Sequence, residues 1–279
     1  MHRITTALAL LIVSSILLSG CATSPTGRHQ LMLVSPESAV VESRKAYIST
    51  VQDLDSKNKL LDDPVLADRV QDITGRLVAV AVQDFPHTQD WNWSVAVIDD
   101  PETINAWCMA GGRMAVYTGL FDKLDLTDDE FAQIMGHEIS HALANHTAER
   151  MSVAMATSVG AIAAGMASDN SGATLVGAAL AAKLAVELPN SRASESEADE
   201  IGIKIAAQAG YDPAAAVTLW QKMEAAGGKG PTEFLSTHPS PGNRAAKLNS
   251  MVPEMRDIQR PEPGPPYPVT IVSDGADVN

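Results

Sequence analysis

His137-Glu138-Ile139-Ser140-His141 decides how this chain folds and what it can do. Just upstream, Thr127-Asp128-Asp129-Glu130 forms a capping box that opens a helix. Phe131, Ile134, Ile139 and Leu143 then recur at helical spacing. On a helix, residues i and i+4 share a face, so both imidazoles can reach one ion. Glu138 sits one residue round, beside the open coordination position, where it can take a proton from water. Zinc suits this set, because it accepts imidazole nitrogen and carboxylate oxygen and needs no redox partner.

A catalytic zinc site takes three protein ligands plus water. Candidates for the third are His146, Glu149, Glu187, Glu195, Glu197 and His238. A second helix is expected from Ser194 to Gly210, with Glu195 and Asp199 one turn apart on one face. That face can give one carboxylate to the metal and another to the outer N–H of a ligating His. Glu197 lies about 200° round from Glu195. It is expected to point outward or toward the preceding loop, and to leave metal content untouched when replaced.

The rest of the chain sets limits. It has 279 residues, 45% hydrophobic and 19% charged, which fits a folded globular protein. The net charge of −14 argues against nucleic acid as a partner, since that needs a basic footprint. Two cysteines make neither a disulfide scaffold nor a Cys-rich metal site.

The N-terminus reads as a secretory signal: Arg3, an apolar run, then Leu18-Ser19-Gly20-Cys21. That ending resembles a bacterial lipobox and implies cleavage before Cys21 and lipidation of its thiol. The lipid would hold the protein on a membrane without a span. Ala22 resembles the signal for outer-membrane sorting in two-membrane bacteria.

Residues 21–34 are expected to be a polar tether, and residues 35–258 the folded domain. Ser35-Pro36 and Asp63-Pro64 each open a helix, by an N-cap followed by Pro. Trp93 to Val97 alternates weakly and is expected as a strand. Ile104 to Met109 and Arg113 to Tyr117 flank Gly111-Gly112, a hairpin signal. The small-residue run 151–167 is expected to be a buried or covering helix rather than a membrane span, and a second such run covers 173–186. Residues 259–279 are Pro-rich and expected to form an extended, disordered tail. The plan is mainly α with a small β-sheet.

Several segments together resemble the M48 metallopeptidases, in particular their bacterial lipoprotein members and the related Oma1-like group. The carriers are Asn105-Ala106-Trp107 with Gly111-Gly112, Tyr117-Thr118-Gly119-Leu120, Gly136 to His141, Ser191-Arg192, Glu195 to Asp199, and His238-Pro239-Ser240 with Arg244. The resemblance runs from about Leu60 to Met251. It implies a zincin-like α+β domain with one Zn²⁺ per chain held by His137, His141 and Glu195. Glu138 would be the general base and Asp199 the outer partner of a ligand. Asn105 and Ala106 would belong to an edge strand that pairs with extended substrate. His238 would lie near the oxyanion, and Arg244 would hold its segment. Ala110 departs from the pattern, standing where many members carry Pro.

The expected function is a zinc-dependent endopeptidase on the periplasmic face of a bacterial membrane, the outer one by the Ala22 signal. By analogy with the family, its substrates would be unfolded or misassembled envelope proteins. The rivals are a peptidoglycan-directed zinc hydrolase and a non-enzymatic, chaperone-like lipoprotein.

Overall fold

The computed structural model describes residues 20–167, 191–226, 233–239 and 243–276. The signal segment up to residue 19 and the run 173–186 lie outside them. In chain order the elements are β1 (Cys21–Thr23), β2 (His29–Leu31), α1 (Pro36–Ser56), α2 (Pro64–Asp84), β3 (Ser94–Ile98), β4 (Ala106–Met109) and β5 (Arg113–Tyr117). There follow α3 (Gly119–Leu124), α4 (Asp128–Leu143), α5 (His146–Ala167), α6 (Arg192–Ala209), α7 (Ala215–Ala226), α8 (Glu233–Thr237), α9 (Arg244–Ile258) and β6 (Thr270–Val272). The architecture is α+β.

Local chemistry sets the helix boundaries that position the site. Asp63 accepts hydrogen bonds from the Val65 and Leu66 N–H groups at the start of α2. Both arms of the Thr127/Glu130 capping box are made at the start of α4. Ser191 caps α6, and Gly210 ends it in the left-handed conformation at φ +104°.

The chain divides into two compact units. The smaller comprises residues 1–39 and 147–188. In it β1 and β2 pair antiparallel, where a tether was expected. Arg28 grips both oxygens of Glu149, at 2.7 and 2.6 Å, and the Gln30 amide reaches the same carboxylate. Glu149 is therefore committed to an ion pair within this unit. Val153, Met155 and Val159 are exposed on α5, so of the two expected forms, buried or covering, the fully buried one does not hold for its described side chains. Among the described residues, no helix is long and apolar enough to cross a membrane.

The larger unit comprises residues 40–146 and 189–279. Its sheet has the order β4-β5-β3-β6, with β3 parallel to both β5 and β6 and β4 antiparallel to β5. Gly111 and Gly112 take φ +88° and +78° in the β4–β5 turn, and the hairpin forms with Ala110 beside them. The weak alternation of β3 has a simple cause: both faces are covered. Val95 and Val97 join the main core with Leu77, Val116, Phe131 and Ile139. Ala96 and Ile98 pack instead with Tyr47 and Val51 of α1. A strand buried on both sides has no reason to alternate.

The expectation of a disordered tail is corrected for the described part. β6 pairs in register with β3, Ser94 opposite Thr270 and Ala96 opposite Val272. Upstream of it, the Tyr267 N–H bonds to the Gly75 carbonyl at 2.9 Å. A Cβ at Gly75 would meet the Tyr267 carbonyl oxygen at 2.7 Å, so the absent side chain admits the tail against α2. Composition gave no hint of this, because three strand residues carry no readable period.

α4 and α6 cross at a pair of glycines. A Cβ on Gly136 would meet the Gly202 carbonyl oxygen at 2.9 Å, and one on Gly202 would meet the His137 backbone nitrogen at 2.8 Å. The close crossing carries the acids of α6 to the imidazoles of α4. Gly202→Ala should force the two backbones apart, at a cost of about 1–3 kcal/mol. Urea unfolding of the metal-free chain measures that cost. Competition with a chelator should show weaker metal binding in the same variant.

Candidate metal centre

Four buried side chains converge at the crossing of α4 and α6. His137, His141, Glu195 and His238 each offer one ligand atom, and those atoms lie within 4.8 Å of one another. The two Nε2 atoms of α4 are 3.1 Å apart, as the one-turn spacing on a shared face requires. Glu195 Oε2 lies 3.3 Å from His137 Nε2, and its Oε1 lies 3.4 Å from His141 Nε2. His238 Nδ1 is 3.1 Å from Glu195 Oε1 and 3.3 Å from His137 Nε2. Its ring stacks on Phe234 of α8, with centroids 4.5 Å apart.

The electrostatics suit a cation. Burial pushes the Glu195 carboxyl up, but hydrogen bonds from His137, His141 and His238 outweigh that and hold it well below the usual carboxylate range. Burial holds the His141 ring well below its ordinary pKa, hence neutral. A neutral imidazole and an ionised carboxylate are protonation states a metal needs. His137 differs from His141: burial and Arg244 lower its pKa, but Asp199 and Glu195 outweigh them and raise it. Glu138 is also fully enclosed. Burial raises its pKa to about 7, although His238, Arg244 and the Cys108 backbone amide work against the rise. Its Oε1 is buried with no hydrogen-bond partner. An orphaned acceptor beside a donor cluster is the feature expected where a water belongs.

Asp199 Oδ1 lies 3.0 Å from His137 Nδ1, the ring nitrogen opposite the one that joins the cluster. Arg244 of α9 donates through Nη1 to Glu195 at 3.3 Å and through Nη2 to Asp199. Its guanidinium lies over the Trp220 ring, 3.5 Å from the centroid. Arg244 thus holds the two α6 carboxylates.

Glu197 departs from its expectation. It is 3% exposed and does not point outward. Its Oε2 lies 3.1 Å from His146 Nε2, and His146 Nδ1 lies 2.8 Å from His141 Nδ1. A count of angles around one helix missed this, because His146 comes from beyond the end of α4. Asn145 adopts φ +57° there and turns the chain so that the next ring meets His141. The one available signal was Asn145 itself, since Asn tolerates the left-handed conformation.

Asn105 immediately precedes β4, and Ala106 is its first residue. Asn105 Oδ1 accepts from the Ala106 N–H at 2.9 Å, and its Nδ2 donates to Glu233 at 3.2 Å. Among the described residues β4 is an edge strand, paired with β5 on one side. Cys108 on this strand is buried, and burial pushes its thiol well above the ordinary range, so it is no nucleophile. Cys21 is exposed at the start of β1.

A mainly helical domain with an HExxH pair, an acid from a second helix and a small sheet beside them defines a zincin-like metallopeptidase domain. The chain belongs to peptidase family M48, whose sequence model matches residues 64–252. It is 32% identical to "Metalloendopeptidase OMA1, mitochondrial" of Bos taurus, over 84% of this chain and 46% of that protein. It is 35% identical to the "Mitochondrial metalloendopeptidase OMA1" of Schizosaccharomyces pombe, over 66% of this chain and 52% of that one. It is 29% identical to the "Beta-barrel assembly-enhancing protease" of Escherichia coli, over 75% of this chain and 43% of the relative. The chain thus spans about half the length of these relatives.

Proposed function

We propose that this chain is a zinc-dependent endopeptidase. The observation that carries the reading is the buried convergence of His137, His141 and Glu195, with the enclosed carboxyl of Glu138 beside it. His137 and His141 through Nε2, and Glu195 through its carboxylate, would hold the ion; two nitrogens and one oxygen suit zinc. Bound zinc supplies a Lewis acid and lowers the pKa of water. Glu138 takes a proton from the attacking water and passes it to the departing amide nitrogen. A carboxyl whose pKa lies near neutrality can do both. His238, with Nε2 3.4 Å from Glu138 Oε1, would stabilise charge on the carbonyl oxygen. Asp199 orients His137, and Arg244 restrains Glu195. Casein cleavage abolished by EDTA and restored by Zn²⁺ tests the reading; cleavage that persists in EDTA overturns it.

The substrates on this reading are extended polypeptides, laid along the open edge of β4 near Asn105 and Ala106. Their source would be unfolded or misassembled envelope proteins, in keeping with the name of the Escherichia coli relative. The lipobox-like Leu18-Ser19-Gly20-Cys21 supports a lipid anchor on the periplasmic face of a bacterial membrane, with Ala22 favouring the outer one. Mass spectrometry of the mature N-terminus checks this. The expected species starts at an acylated Cys21, and Cys21→Ser abolishes acylation. A chain starting at Met1 in cells that process lipoproteins would defeat the anchor.

A further inference from the structure

We propose that Glu197 and His146 form a positioning relay for His141, the counterpart of what Asp199 does for His137. The proposal rests on the reading above that His141 ligates through Nε2. That atom faces the cluster, 3.1 Å from His137 Nε2, while Nδ1 faces away and meets His146 Nδ1 at 2.8 Å.

One assignment fixes the whole chain of protons. If His141 Nε2 gives its lone pair to a metal, the ring proton sits on Nδ1. His146 Nδ1 must then accept it, so the proton of neutral His146 lies on Nε2. That N–H is aimed at Glu197 Oε2, 3.1 Å away, a carboxylate oxygen that can accept it. The opposite assignment would put the His141 proton among the ligand atoms. His146 and Glu197 are 1% and 3% exposed, so the relay is shielded from solvent and its hydrogen bonds are strengthened.

The fold explains why one ligand needs a relay and the other does not. Asp199 and Glu197 lie two residues apart on α6, hence on different sides of it. Asp199 meets His137 directly. His141 lies one turn further along α4, and the imidazole of His146 fills the distance to the second carboxylate. Each ligating ring is thus anchored by its own acid, and replacing Glu197 should disturb the metal.

The test uses the full chain with Zn²⁺ as the probe. Glu197→Met and His146→Phe keep bulk and remove the hydrogen bonds. Each should weaken zinc by about 10–100-fold in competition with a chromogenic chelator, the range for partners that orient a ligand. The double variant should be no worse than the weaker single, because a chain broken at either link is broken. Glu197→Gln, which keeps an acceptor, should recover part of the loss. Nitrogen-15 spectra of the histidines in the zinc-loaded wild type should show His141 protonated at Nδ1 and His146 at Nε2 alone. A merely structural pair would not dictate those tautomers, and the spectrum needs no variant to fold. Wild-type affinity in both single variants, losses that add in the double, or a proton on His146 Nδ1 would each overturn the relay. His141→Ala separates the two levels: if it keeps zinc at wild-type affinity, the ligand assignment itself has failed. If it loses zinc while both relay variants hold it, only the relay has.

Discussion

Glu138→Gln is expected to bind zinc as the wild type does and to lose peptide hydrolysis by about 10²–10⁴-fold, the range for a lost general base. Glu138 lies next to His137 in the chain but is not among the four residues whose ligand atoms converge. Its carboxyl is fully buried, with one oxygen lacking any hydrogen-bond partner. The amide of Gln fills the same space and cannot accept a proton from water at neutral pH. The structure should therefore survive while the proton transfer fails. Steady-state cleavage of a fluorogenic peptide, alongside zinc content by atomic emission, checks both halves. Near-normal turnover by a variant carrying its full zinc would remove Glu138 from the role of base.

Glu195→Ala should cost the metal itself. Glu195 is fully buried and meets His137, His141 and His238 within 3.4 Å. Its removal leaves only imidazoles in the cluster and takes away one of the two carboxylates held by Arg244. Asp199→Asn removes an outer partner instead, so its loss should be smaller, about 10–100-fold in affinity. Zinc measured after dialysis ranks the two. Stoichiometric zinc in Glu195→Ala with loss in Asp199→Asn would reverse their roles. Residual cleavage by a zinc-free Glu195→Ala chain would overturn the metal mechanism.

Much of this was legible in the sequence because the signals were short in range. A capping box, an N-cap before Pro and a left-handed Gly depend on neighbours three or four residues away, and they fixed the starts of α2 and α4 and the end of α6. The one-turn spacings of His137 with His141 and of Glu195 with Asp199 likewise placed each pair on one helix face. Helix packing brings His137 and His141 of one face together with Glu195 of the other.

What only the tertiary structure decided depended on contacts between distant segments. The tail from residue 259 reads as disordered by composition, yet Gly75 and the open edge of β3 give it a place. Short helices such as α3 and α8 have too few residues to show a period. Glu197 is the clearest case. Taken along α6 alone it faces away from Glu195, and an acid on a far face is ordinarily solvated. Its surroundings are set by His146, 51 residues earlier, which Asn145 folds back onto α4. Helical periodicity tells which side chains share a face. Which partner covers the opposite face is set by how the helices pack, and no spacing within one helix encodes it.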